Sequence, residues 1–129
     1  MEETKELSVL KLEKMVFDQI SFKRLGFGSD EELKFQLKSS LSQYKEENLY
    51  RVSLTLEGTK QDEYTFEIVL FGFFSFGSEA ENLDEETKNV LLDKNAIAIL
   101  FPYLRSEVSI LTAQPGMDCV VLSILDVSE

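Results

Sequence analysis

Histidine occurs nowhere among the 129 residues, and there is a single cysteine, Cys119. Without an imidazole the commonest general base is missing, together with any Ser-His or Cys-His pair that would activate a nucleophile. Cys119 follows Asp118 and has no cation beside it in sequence. That setting offers the sulfur no activating group, so the residue reads as structural. One thiol without histidine also cannot build a tetrahedral zinc site. The densest acidic run, Glu79, Glu81, Asp84, Glu85 and Glu86, lacks the pattern of a calcium loop. It stands just before a helix, where negative charge favours the positive end of the dipole, and solvated charge is the better reading. No catalytic residue, metal or cofactor is expected, and the chain is not read as an enzyme.

What remains is contact chemistry. Composition is 43% hydrophobic, with ten Phe and no Trp, and most of these rings are expected to fill strand interiors. Phe27 differs, because it stands between Gly26 and Gly28 in a loop signature running from Lys23 to Glu32. A loop aromatic suits the wall of a binding groove, although one tucked into the core is about as common. A net charge of −11 with no basic cluster along the chain argues against nucleic acid as a partner, since phosphate backbones require concentrated Lys and Arg. The start, Met-Glu-Glu-Thr-Lys-Glu-Leu, has no signal-peptide pattern, and no stretch reaches the ~20 apolar residues of a membrane span. A cytoplasmic chain without membrane insertion is expected, and one lone cysteine fits a reducing compartment.

The elements that must position these contacts come as strands first and helix after, the order of an α+β domain. One domain over 1–129 is expected, with 1–8 frayed, strands at about 9–22, 33–43, 48–58 and 63–76, and a helix at about 84–113. In the first strand Leu10, Leu12, Val16, Ile20 and Phe22 alternate to one side while Met15 and Phe17 face the other, which predicts a central or interface strand. The loop after it is too long for a tight hairpin and is expected to cross over the sheet. The second and third strands alternate apolar and polar residues, with Gly58 to Asp62 as the hairpin into the fourth. There Phe66, Ile68, Leu70 and Phe74 oppose Val69, Phe71 and Phe73. If the first set lies under the helix, the second meets another protomer, hides beneath a loop or receives a ligand.

The helix is apolar on two sides. Over residues 95–116, with Asn95 as a cap, Ile97, Leu100, Phe101, Leu104, Val108 and Leu111 form one stripe. Ile99, Tyr103 and Ile110 form another nearly opposite, with Thr112 among the polar residues between them. One stripe can cover the chain's own sheet while the other serves a second subunit; a central helix wrapped by its own chain is the weaker alternative at this length. Pro102 inside the pattern is expected to kink the helix.

The words Leu100-Phe101-Pro102-Tyr103-x-Arg105, then Glu107, then Gln114-Pro115-Gly116 closely resemble the main helix of the SecB protein-export chaperones. Ile20-Ser21-Phe22, Leu49-Tyr50-x-Val52 and Gly72-x-Phe74-Ser75 extend the resemblance, in SecB order, over most of residues 10–125. It implies a four-stranded antiparallel sheet with a crossover loop, packed by a long kinked C-terminal helix, in a bacterial homotetramer built as a dimer of dimers. It also implies ATP-independent capture of unfolded precursor chains in apolar grooves and delivery to SecA. Phe27, Val69, Phe71 and Phe73 become the candidate client-binding residues, and Ile99, Tyr103 and Ile110 the candidate interface. Phe66, Ile68 and Leu70 match strand positions that influence assembly, and Glu67 matches an acidic position facing SecA.

Two departures bear on SecA. Acidic positions of the family's first strand appear as Gln19 and Lys23, and the chain stops at Glu129 without the family's terminal helix and zinc-binding tail, so delivery to SecA is the weakest of these implications. A general holdase for unfolded or precursor chains is the leading expectation. A SecB-like chaperone dedicated to one client, such as an antitoxin, stands close behind, and an interaction or scaffold protein that keeps the fold without the activity is third.

Overall fold

Four strands and one long helix follow one another in a computed structural model that describes residues 10–44, 48–80 and 82–123. They are β1 (Leu10–Arg24), β2 (Leu33–Tyr44), β3 (Leu49–Lys60), β4 (Tyr64–Phe76) and α1 (Glu85–Thr112), with a 3-10 turn at Ser78–Ala80 before the helix. The expectation for residues 1–8 lies outside the described residues. All pairing is antiparallel, in the order β1-β4-β3-β2. β1 and β2 are therefore opposite edges, and residues 25–32 between them cross from one side of the sheet to the other.

The β3–β4 turn is tighter than Gly58–Asp62. β3 continues to Lys60, and Asp62 turns the chain with a φ of 65°. Gly58 lies within the strand, paired with Phe35 and Phe66. It has no side chain for a packing reason: a Cβ there would stand 2.3 Å from the Phe66 ring, which fills the space.

β1 does not alternate as its sequence suggests. Its pairing with β4 shifts between Leu12 and Lys14 and again between Phe17 and Gln19, and each bulge adds one residue that the partner does not match. Leu12 pairs with Phe74, Met15 with Gly72, Phe17 with Leu70 and Ile20 with Ile68, so Met15 and Phe17 share the helix face with Leu12 and Ile20. Val16, expected beside Leu12 and Ile20, pairs with Phe71 on the opposite face. The strand is also an edge, not a central strand.

Asp84, not Asn95, caps the helix: its carboxylate accepts from the Thr87 backbone N–H at 2.7 Å, satisfying one of the donors left open in the first turn. Asn95 sits inside the helix, and its Nδ2 is buried with no hydrogen-bond partner among the described residues. The helix runs on through Pro102 to Thr112. Leu92, Ala96, Leu100, Phe101, Leu104 and Val108 are buried against Leu54, Leu56, Ile68, Leu70 and Phe74 of the sheet. Gly72 permits the close approach, since a Cβ there would lie 2.8 Å from Leu100 Cδ2.

Thr112 is not a surface residue. It is fully buried, its hydroxyl donates to the Val108 carbonyl at 2.8 Å, and its Oγ1 accepts from the Val120 N–H at 2.8 Å. Ser109 Oγ donates to the Val120 carbonyl at 2.8 Å. After a reversal that uses Gly116 at φ 82°, the chain is thus stitched back along the helix, and Leu122 is buried in the core.

Candidate functional site

One helix of about 10 Å diameter, laid on strands about 4.8 Å apart, covers two of four strands. α1 packs on the central pair, β3 and β4. The flanks of the same sheet face remain open, and Ile20 on β1 and Leu41 on β2 are 44% and 40% exposed. The far side of the helix is open as well: Tyr103 is 44% and Ile110 65% exposed, whereas Ile99 is half-buried against the core. These residues form an apolar surface of sheet flanks and helix crest that the described residues do not cover. Phe66, Ile68 and Leu70 lie beneath the helix and are buried, so they can affect assembly only through how they seat α1.

Among the described residues, the opposite, outer face carries no helix. Val69, Phe71 and Phe73 project there from β4, flanked by Val16 and Lys14 on β1 and by Arg51, Ser53 and Thr55 on β3. All three are half-buried, and the Arg51 guanidinium lies 4.6 Å from the centre of the Phe71 ring, a cation–π contact. Glu67 is on this face too, where its Oε1 accepts from Gln19 Nε2 at 2.8 Å. The residue at one of the altered first-strand positions thus ties down the very carboxylate that the resemblance assigned to SecA. Between Ser21, Lys23, Glu57, Thr59, Thr65 and Glu67 the face dips into a shallow depression of about 430 Å³.

The crossover loop is held at the hairpin end of the sheet. Backbone N–H groups of Leu25 and Gly26 donate to the Glu63 carbonyl at 2.8 and 3.1 Å. The Glu63 carboxylate is buried; it pairs with Lys60 Nζ at 2.9 Å and accepts from the Ser29 N–H at 3.0 Å. The Lys60 hydrogen bond, with help from Ser29, holds the Glu63 pKa below the usual carboxylate value, and the same bond raises that of Lys60. With its two ends fixed in this way, the loop turns Phe27 outward, 91% exposed and touched by the Arg24 guanidinium at 5.7 Å.

The four client-binding candidates are not brought together. A strand rise of about 3.3 Å per residue puts Phe71 roughly 20 Å along β4 from the hairpin end where Phe27 stands. Sequence reading also missed a run of rings across the helix face at the hairpin end. Phe22 stacks on Tyr64 at 5.2 Å, Tyr64 lies 6.3 Å from Phe66, and Phe66 lies 6.2 Å from Phe35. Periodicity set Phe22, Phe35 and Phe66 each on an apolar face of its own strand, but only the pairing of the strands brings the rings together. A further groove of about 480 Å³ opens between α1 and the returning C-terminal segment, lined by Phe101, Pro102, Arg105, Val121 and Leu122 among others.

Among the described residues no group of acidic, Cys or His side chains could hold a metal ion, and Cys119 is exposed. Among them, too, no helix is long and apolar enough to cross a membrane. What the arrangement offers is apolar surface for contact, not a catalytic constellation.

A family model described as "Preprotein translocase subunit SecB" matches residues 5–129. The protein-export protein SecB of Rickettsia akari is 26% identical over 99 residues, which cover 74% of this chain and 62% of the relative. That of Rickettsia felis is 25% identical over 99 residues, with the same two shares. The match thus spans less than two thirds of either relative's length. Among solved structures, a SecB-like chaperone of Mycobacterium tuberculosis, in complex with a peptide from an antitoxin, matches with a TM-score of 0.76 at 14% identity, covering 94% of this chain and 91% of that one. A protein of unknown function from Streptococcus agalactiae matches with a TM-score of 0.51 at 13% identity, covering 89% and 97%. At these identities the structural likenesses establish the α+β fold.

Proposed function

The chain belongs to the SecB family, whose members are chaperones and not enzymes, and from that premise we propose that it is an ATP-independent holdase for unfolded or precursor polypeptides. The observation that carries the reading is the apolar surface left open around α1: Ile20 and Leu41 on the flanks, Tyr103 and Ile110 on the crest. Part of it serves assembly into a homo-oligomer, a dimer of dimers by family resemblance, and the remainder, with Phe27 and the Val69–Phe71–Phe73 stripe, receives clients. Several shallow apolar sites on one assembly then hold a flexible chain more tightly than any one of them. No nucleotide is needed, because release follows from the weakness of each separate contact. A cytoplasmic location belongs to the same proposal, and SecA is its least supported partner, given Gln19 and Lys23 on the outer face.

A second reading is a chaperone dedicated to one client. It is favoured by the fold shared with the mycobacterial chaperone bound to an antitoxin peptide. Light scattering of the protein alone and with a denatured, non-refolding client tests the first reading. An oligomer that takes up the client without ATP is the expected result, with uptake weakened in a Phe27→Ser, Phe71→Ser double variant that keeps its fold. An oligomer that ignores every unfolded chain would transfer the proposal to the dedicated form.

A further inference from the structure

Basic residues that are scattered along the sequence are gathered by the sheet onto its outer face. Lys11, Lys14 and Lys23 of β1, Lys34 and Lys38 of β2 and Arg51 of β3 all stand at outer-face positions of the pairing. Facing them are three carboxylates, those of Glu57, Glu67 and the bulged Glu13, which accepts from Ser75 Oγ on that face. Even with Asp18 of the second bulge counted, the face is positive, on a chain whose net charge is −11. Two of the cations are paired, Lys38 with Glu57 at 3.5 Å and Lys11 with Glu13 at 3.8 Å. Among the described residues, no carboxylate lies within ion-pair distance of Lys14, Lys23, Lys34 or Arg51, and Arg51 Nε is buried without a hydrogen-bond partner. The apolar stripe of Val16, Val69, Phe71 and Phe73 runs between these cations.

We propose that the outer face of the sheet docks a short acidic polypeptide segment, with apolar side chains seated on Val16, Phe71 and Val69 and carboxylates reaching Lys14, Lys23, Lys34 and Arg51. This deepens the proposal above by naming the chemistry of what the stripe receives, and it rests on the stripe receiving a polypeptide. Charge complementarity selects acid over base. The size of the positive field selects a short segment over an extended polyanion. The Debye length in physiological salt is about 8 Å, so a segment lying within the face meets the local cations. A membrane or a nucleic-acid duplex would extend beyond it, over a chain whose net charge is −11. The stripe supplies what a bare basic patch lacks, an apolar anchor that holds the segment once its charge has steered it in.

The test uses two labelled peptides of equal length and identical apolar residues, one with Glu and the other with Lys at its polar positions, titrated by fluorescence anisotropy. The wild-type chain is expected to bind the acidic peptide at least tenfold more tightly, with a preference that shrinks as salt is raised. Lys14→Glu, Lys23→Glu and Lys34→Glu together should abolish the preference, and the matching Arg substitutions should keep it. Equal binding, a preference for the basic peptide, or a triple variant that behaves as wild type would overturn the proposal. So would phosphatidylserine vesicles or duplex DNA that bind better than the acidic peptide, or a triple reversal that changes the number of subunits, which would make a second copy the occupant. Capture of a denatured client measured alongside keeps the two readings apart. Capture without charge preference sinks this inference alone, and charge preference without capture sinks the holdase alone.

Discussion

Glu63 shows how a single side chain can fix the path of a loop. Its carboxylate joins Lys60 on its own hairpin to Ser29 in the crossover loop, while its carbonyl takes the N–H groups of Leu25 and Gly26. Because the folded-state pKa of Glu63 is lowered, chiefly by Lys60, its contribution to stability is present above the ordinary glutamate pKa and is lost as the pH falls through the lowered value. Lys60 has the opposite sign. Its raised pKa contributes below the ordinary lysine value and is lost as the pH rises through the folded one. Glu63→Gln should therefore lower the urea midpoint at neutral pH, and the difference from wild type should vanish in acid once the pH has fallen through the lowered value and the wild-type carboxyl is also neutral. A difference that persists unchanged in acid would mean that shape, not charge, anchors the loop.

At the level of the elements, the C-terminal segment depends on Thr112. Thr112→Val keeps the side chain's shape but removes the acceptor for the Val120 N–H, and orphaning a partly buried donor costs about 1–3 kcal/mol. Chemical denaturation should show that loss for Val and much less of it for Thr112→Ser; equal losses in the two variants would point to the methyl group and not to the hydroxyl. Thr112 also marks where sequence reading stopped. Order of elements, crossover loop, antiparallel pairing and the apolar stripe under the helix were all legible, because periodicity and loop length record them locally. The face of Val16, the cap at Asp84 and the burial of Thr112 were not. The first is decided by the distant β4 register, while the other two are decided by single local hydrogen bonds, Thr87 N–H to Asp84 and Val120 N–H to Thr112, that no apolar period announces. The aromatic stripe could be read from β4 alone, but not the cations that surround it, since they come from three strands.

For the whole molecule, the mismatch between one helix and four strands is the governing fact. A protomer that leaves its helix crest and both sheet flanks open gains by burying them against a copy of itself, at roughly 25 cal/mol for each Å² of apolar surface removed from water. Tyr103→Asp, which sets a charge on the exposed side of the helix without touching Leu100, Leu104 or Val108 beneath it, should dissociate the proposed homo-oligomer while leaving the circular dichroism of the sheet unchanged. Light scattering at a series of concentrations measures this, and a variant of wild-type mass would place the contact between subunits elsewhere.

The paired bulges of β1 also constrain how this strand can change by descent. Leu10 and Leu12 before them are in phase with Ile20 and Phe22 after them, because two single-residue insertions restore a period of two. Loss of Glu13 or Asp18 would remove one bulge and leave every other side chain of the strand on its present face, since Leu12 and Lys14 already pair with the consecutive residues Phe74 and Phe73, and Phe17 and Gln19 with Leu70 and Val69. A lineage can therefore shorten this edge at either bulge without turning an arm over, and an alignment of its members without gaps would set side chains from opposite faces in the same column.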